Sequence, residues 1–133
     1  MSTRATYTFI ETGGVDQEYY HVFKHSDGYP EGAAKWIKAA LDHAWPLPRY
    51  EADEMAAGFV AANKSGGGGI RLIADGSADG WKKACDQDFH YEIKPFGNDL
   101  YVSVYDTFID TSDNGKDEVT LIWEGPLRVM LRV

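Results

Sequence analysis

The chain has 133 residues, 44% hydrophobic and 14% aromatic, so it can bury a core without disulfides or metals. Its 13 basic and 21 acidic residues give a formal net charge of −8, which disfavours direct binding to nucleic acid or to anionic membranes. The only cysteine, Cys85, excludes an intramolecular disulfide and a cysteine-rich zinc site.

The N-terminal segment has no apolar run long enough for a signal peptide. No window of the sequence approaches the roughly 20 apolar residues of a membrane span. We therefore expect a soluble cytoplasmic protein with one domain over residues 1–133, without repeats or a domain linker.

The first half of the chain predicts two strands followed by two helices. Residues 4–11 and 18–25 alternate in polarity and are rich in β-forming residues, which indicates a hairpin. After Pro30 the apolar residues recur at helical spacing, until the two prolines of 45-WPLPRY-50 end the helix. A second helix follows, marked by Met55, Ala56, Phe59 and Val60.

The second half predicts further strands. The glycine run at 64–69 lacks GK[ST] and precedes a strand, so it indicates a connection and not a phosphate loop. Residues 70–74 form a short strand, and residues 89–96 and 100–108 form the clearest hairpin. An acidic loop at 110–118 leads to VTLIWEG and LRVMLRV, which we expect to supply one or two closing strands.

This order predicts an α+β fold: ββαα and then about four β segments. We expect a mostly antiparallel sheet with the two-helix insertion packed on one face. The other face would then be exposed and would carry many of the Tyr, Thr and His side chains, as a binding surface can.

The stretch 25-HSDGYPEG-32 allows two interpretations. In the first it starts the helix: Pro30 suits the first helical position, Gly28 suits a turn, Glu31 complements the helix dipole, and Asp27 or Ser26 can cap the helix. In the second it is a ligand-binding pocket, because a helix N-terminus attracts anions and nearby side chains add donors. The residues of that pocket would be His25, Asp27, Tyr29 and Glu31.

No catalytic residue, metal site or cofactor is predicted. His21, His25 and His90 lack the tight HxH or HExxH spacing of a specific metal site. Ser26 lies in no GxSxG context, and no sequence pattern around Cys85 indicates an activated thiol.

The segment 21-HVFKHSDGYPEGAAKWI-37, with the preceding TRATYTF, resembles the opening of small uncharacterised proteins from phages, prophages and plasmids. These proteins share an aromatic strand, an H-x-D-G-Y-P-E-G turn and a helix. The resemblance covers the first third of the chain. It implies a mobile-element setting and a recurring helix start, and it implies no reaction.

Two functions fit these observations. In the first, the chain is a small acidic interaction protein that occludes a nucleic-acid-binding or defence protein of a host through a basic surface on that partner. Its contact residues would be Asp110, Asp113, Asp117 and Glu118 in the acidic loop, and Glu51, Asp53 and Glu54 at the second helix. In the second, it is a small enzyme or anion-binding domain with its pocket at HSDGYPEG. A homo-oligomer is compatible with either function.

Overall fold

A computed structural model describes residues 3–14, 16–65, 69–84, 87–107 and 119–132 of the chain. In chain order the elements are β1 (Ala5–Glu11), β2 (Glu18–Lys24), α1 (Pro30–Leu41), α2 (Ala52–Asn63), β3 (Ile70–Leu72), a 3₁₀ turn (Gly80–Ala84), β4 (Phe89–Phe96), β5 (Asp99–Asp106), β6 (Thr120–Pro126) and α3 (Leu127–Met130). None of the described helices is both long enough and apolar enough to cross a bilayer.

The six strands form one sheet in the order β3-β2-β1-β4-β5-β6. Neighbouring strands are antiparallel except for the central pair, in which β1 runs parallel to β4 with Tyr7 beside Tyr91. The α+β class and the mostly antiparallel sheet are confirmed. The parallel central pair makes the sheet mixed, a feature that the sequence did not predict.

One face of the sheet packs against the helices and holds the core. Tyr7 and Phe9 of β1 are fully buried and contact Phe59 of α2, with ring centroids 4.6 Å and 5.5 Å away. Helix α2 lies on β1 and β2, while α1 packs on α2 and on α3. Because the odd-numbered residues of β1 all point to this side, the period of two in the sequence does place its apolar side chains in the core.

The opposite face is not the open binding surface that the sequence suggested. Thr6, Thr8, His21 and His90 all lie there, and each is at most 3% exposed. The turn after β3 covers this side, since the Ser77 carbonyl oxygen lies 2.7 Å from His21 Nε2. The 3₁₀ turn adds further cover because the ring of Trp81 stacks on His90 at 3.8 Å.

The end of the chain supplies one of the one or two closing strands that the sequence predicted, and its last segment is a helix. VTLIWEG supplies β6, but LRVM forms the short helix α3, which begins after Pro126. Leu127 and Met130 are both buried, and α3 contacts α1. Spacing of three between the two buried residues suits a helical turn, whereas in a strand they would point to opposite faces.

Candidate functional site

The stretch HSDGYPEG forms the turn that starts α1, and its backbone is held by side chains from other elements. Trp36 Nε1 donates to the carbonyl oxygen of Asp27 at 3.0 Å, and the Tyr91 hydroxyl donates to that of Gly28. Asp27 has a positive φ of 55°, and the N-cap residue is Tyr29, without a side-chain capping bond. The predicted cap by Asp27 or Ser26 is therefore absent, and tertiary hydrogen bonds hold the turn instead.

Close packing explains the first glycine of this turn. The Gly28 N–H donates to the Thr3 carbonyl oxygen at 2.8 Å, which brings the turn onto the start of β1. A Cβ at Gly28 would lie 2.6 Å from the Ala5 Cβ and 2.9 Å from the Thr3 oxygen. Only glycine fits such an approach, so this residue serves the fold.

The four residues of the predicted ligand pocket do not surround one cavity. Each of His25, Asp27, Tyr29 and Glu31 is exposed. Glu31 lines a cavity of about 140 Å³ together with Pro30, Ile122 and Trp123, and the other three residues do not line it. His25 Nδ1 instead accepts a long hydrogen bond of 3.5 Å from Arg4 Nε.

The acidic residues predicted at the second helix have separate environments. Both carboxylate oxygens of Glu54 accept the Trp45 N–H at 3.1 Å, and Glu51 lies 3.8 Å from the Arg49 guanidinium on the surface. Asp53 is exposed, and it lines a groove beside β2. The four predicted contact residues of the acidic loop, Asp110, Asp113, Asp117 and Glu118, lie outside the described residues, as does Cys85.

This groove, which we call the β2 groove, runs along the outer edge of β2 between α2 and the chain that follows β3. Its volume is about 530 Å³, and its lining is mostly apolar: Tyr20, Val22, Ala56, Ala57, Val60 and Leu72. Two local causes produce it. Strand β3 has only three residues, so it leaves the first half of β2 uncovered, and alanine side chains on α2 leave space above the edge.

Three carboxylates lie around the mouth of the β2 groove: Asp53, which lines it, Glu18, and Glu11, whose Oε1 accepts the Ala52 N–H at 3.0 Å. The Tyr20 hydroxyl donates to Glu18 Oε2 at 2.7 Å. This hydrogen bond is the main reason that the pKa of Tyr20 is raised to about 12, and the negative charges of Asp53 and Glu11 contribute to the shift.

In the described part of the chain, no lysine or arginine lies within salt-bridge distance of Glu11, Glu18 or Asp53. Asp75, further along the groove, differs because Lys83 Nζ lies 2.9 Å from its carboxylate. The groove mouth therefore carries a net negative field.

Sequence reasoning found Asp53 but missed Glu11 and Glu18. The two glutamates lie directly opposite each other in the β1–β2 ladder. The predicted hairpin contained this information, since pairing residues 4–11 with 18–25 brings the acidic ends of the strands together. Like charges in this arrangement repel each other, and the positive N-terminal end of α2, where the Ala52 N–H donates to Glu11 Oε1 at 3.0 Å, offsets part of that repulsion.

The buried histidines on the opposite face are structural. His90 Nδ1 lies 2.8 Å from Thr6 Oγ1, its Nε2 lies 3.2 Å from Glu92 Oε2, and Trp81 covers the ring. His21 is held similarly, between Thr8 Oγ1 at 2.7 Å and the Ser77 carbonyl oxygen. Since both nitrogens of each ring have partners, neither histidine offers a vacant position to a substrate. Among the described residues, no group of three or more His, Cys, Asp or Glu has a geometry that could hold a metal ion.

Comparison with known proteins gives no relative. No protein-family model, curated protein or solved structure matches the chain. The functional interpretation therefore depends on the geometry of the chain itself.

Proposed function

We propose that this chain is a small acidic interaction protein that binds a basic surface of another protein, with the β2 groove as its contact region. The observation that carries the proposal is the pair of carboxylates Glu18 and Asp53, which have no described lysine or arginine within salt-bridge distance, at the mouth of an apolar groove. A cationic partner would relieve their repulsion, and the apolar lining would add burial.

The net charge of −8 suggests which partners suit the proposal. Surfaces that bind nucleic acid are rich in Lys and Arg, so an acidic protein can compete with nucleic acid for them. Together with the resemblance of the first third to mobile-element proteins, this favours a host defence or replication protein as the partner and occlusion as the mechanism. We prefer this function to a ligand site at HSDGYPEG, because the backbone of that turn already serves the fold.

Affinity capture with charge variants tests this function. The chain and the double variant Glu18→Lys/Asp53→Lys are immobilised, incubated with host lysate, and the retained proteins are quantified by mass spectrometry. We expect the unmodified chain to retain a basic protein that the double variant loses. Added nucleic acid should displace that protein, and so should added salt, because exposed charges are screened over about 8 Å at physiological ionic strength.

A second double variant, Asp42→Lys/Glu124→Lys, serves as the control because it makes the same charge change at exposed residues that do not line the groove. It should retain the partner. Equal losses in the two variants would show that only the total charge matters, and no retained basic protein would contradict the function.

A further inference from the structure

We propose that the β2 groove binds an extended polypeptide segment as an added strand on the open edge of β2, with a lysine or arginine of that segment reaching Glu18 and Asp53. This inference rests on the proposed function and adds to it the form of the ligand. Its support is the backbone geometry of β2, the shape of the groove and the charge at its mouth.

The backbone of β2 offers unpaired groups at Tyr19. The Ile73 N–H donates to the His21 carbonyl oxygen at 3.2 Å, and the His25 N–H donates to that of Gly69 at 2.9 Å, so residues 21 and 25 point their backbone groups toward β3. Because these directions alternate along a strand, Tyr19 points the same way. Strand β3 ends at Leu72, however, and no described backbone group bonds to Tyr19 on this side.

After β3 the chain enters a tight turn, so the described residues do not continue the strand beside Tyr19. The Asp75 N–H donates to the Ile73 carbonyl oxygen at 2.9 Å, which closes a tight turn. The turn is fixed further because Ser77 donates to the Asp75 carboxylate and Lys83 pairs with it. A fixed turn next to an unpaired strand edge is a preformed binding site for a strand from another chain.

The groove provides space for alternate side chains of such a strand. Side chains on one face of the added strand would point toward Ala56, Ala57 and Val60 of α2. The volume of about 530 Å³ lies within the range of specific binding pockets. The small residues of this wall favour branched aliphatic side chains in the ligand.

The charge at the groove mouth sets the second requirement. Glu18 begins β2, and Asp53 lies in the first turn of α2 above it. Glu18 shares a face of β2 with Tyr20 and Val22, on the side of α2. A cationic side chain near Tyr19 therefore reaches the two carboxylates from the same face of the added strand as the aliphatic side chains. The ligand class is an extended segment whose alternate, α2-facing positions carry aliphatic residues and one basic residue.

The first test uses synthetic peptides of about eight residues, within the usual range of strand lengths, that place valines and one central lysine at alternate positions with threonines between them. One is unmodified, and two others are N-methylated at alternate residues, either at the valine and lysine positions or at the threonines. Strand addition predicts that one methylated peptide binds at least about tenfold more weakly than the unmodified one, because its methyl groups replace the N–H donors that would face β2. The other methylated peptide should bind like the unmodified peptide. Affinities are measured by isothermal titration calorimetry.

The second test changes the protein edge. Proline at position 19 removes the N–H that points away from β1, and it leaves the hydrogen bonds to β1 in place. The control is Tyr19→Thr, which also lacks the aromatic ring but keeps the N–H. We expect Tyr19→Pro to bind the unmodified peptide about tenfold more weakly than Tyr19→Thr. Thermal unfolding of both variants verifies that each is folded.

Three results would overturn strand addition: no binding of the unmodified peptide, equal binding of all three peptides, or equal binding by Tyr19→Pro and Tyr19→Thr. The proposed function is tested independently of strand addition. If the peptide tests exclude strand addition but Glu18→Lys/Asp53→Lys still loses the basic partner, the proposed function holds, and the partner contacts only side chains of the groove.

Discussion

The HSDGYPEG turn and the β2 groove differ in how far the rest of the described chain occupies their backbone groups and charges. In the turn, the carbonyl oxygens of Asp27 and Gly28 accept hydrogen bonds from Trp36 and Tyr91. In the groove, Glu18 and Asp53 have no described cation, and the backbone of Tyr19 has no described partner strand. The turn has the more suggestive sequence, yet the fold uses its backbone, whereas the outer edge of β2 beside the groove has no described partner strand at Tyr19.

This contrast shows that residue types alone do not identify a site. Polar residues in a short stretch attract attention, but here tertiary hydrogen bonds hold their backbone and their side chains do not surround one cavity. A binding region is better identified by a cavity beside a backbone edge that the described chain leaves open. Variants of the turn and of the residues around it, and peptide binding at the groove, test the two sides of this comparison.

The largest expected effect is a loss of stability from a side chain at Gly28. Gly28→Ala should lower the free energy of unfolding by about 1–3 kcal/mol, because the new methyl group overlaps Ala5 and the Thr3 oxygen. Gly76→Ala, in the groove lining, is the control, since nothing lies within 4 Å of the added Cβ. Urea denaturation measures both, and equal stability of the two variants would contradict the packing role of the turn.

The next prediction compares substitutions at two buried tyrosines, Tyr7 and Tyr91, whose stacked ring centroids lie 5.1 Å apart. Tyr91→Phe should cost about 1 kcal/mol because the Gly28 carbonyl oxygen loses its donor. Tyr7→Phe should be neutral or slightly stabilising, because the Tyr7 hydroxyl is buried without a hydrogen-bond partner. Thermal unfolding distinguishes them, and a larger loss in Tyr7→Phe would mean that the Tyr7 hydroxyl is engaged.

A smaller effect is expected at Asp27. Its φ of 55° lies in the left-handed region, so Asp27→Ala should cost somewhat less than 1 kcal/mol, while Asp27→Gly should change stability by only a few tenths. If instead the Asp27 side chain capped α1, both variants would lose similar stability. Chemical denaturation of the pair decides between these causes.

The smallest expected effect is a pH dependence from His90. Burial lowers the pKa of His90 below its ordinary value near 6.5, so below about pH 6.5 the unfolded chain binds this proton more readily than the folded chain. Stability should therefore fall from pH 7 to pH 5, and fall less steeply in His90→Gln. Urea midpoints across this range provide the measurement, and identical slopes would exclude His90 as the cause.

Local patterns in the sequence predicted much of the fold. The period of two predicted both hairpins, and Pro30 marks the start of α1 as expected. The parallel pairing of β1 with β4 was not predictable, because it joins residues 84 positions apart, such as Ala5 and Phe89, without a local pattern. The short helix α3 was missed since four residues give too little periodicity to separate a helix from a strand.

The β2 groove depends on a strand end, which is the least predictable feature of an element. The sequence predicted a strand over residues 70–74, whereas β3 ends at Leu72. In the register of β3 on β2, the strand would have to continue to Asp75 to pair with Tyr19. Asp53 was predicted as a contact residue from its charge, but its place at a groove with Glu11 and Glu18 required the register of β1 on β2 and the packing of α2.

The most direct test of this contrast is a map of backbone amide chemical shifts during titration with the unmodified peptide of valines, threonines and one lysine. The account predicts shift changes at Glu18, Tyr19 and Asp53, slower hydrogen exchange at the Tyr19 amide, and no change at residues 25–31. Shift changes confined to residues 25–31, with the groove unaffected, would contradict it and return the site to the HSDGYPEG turn.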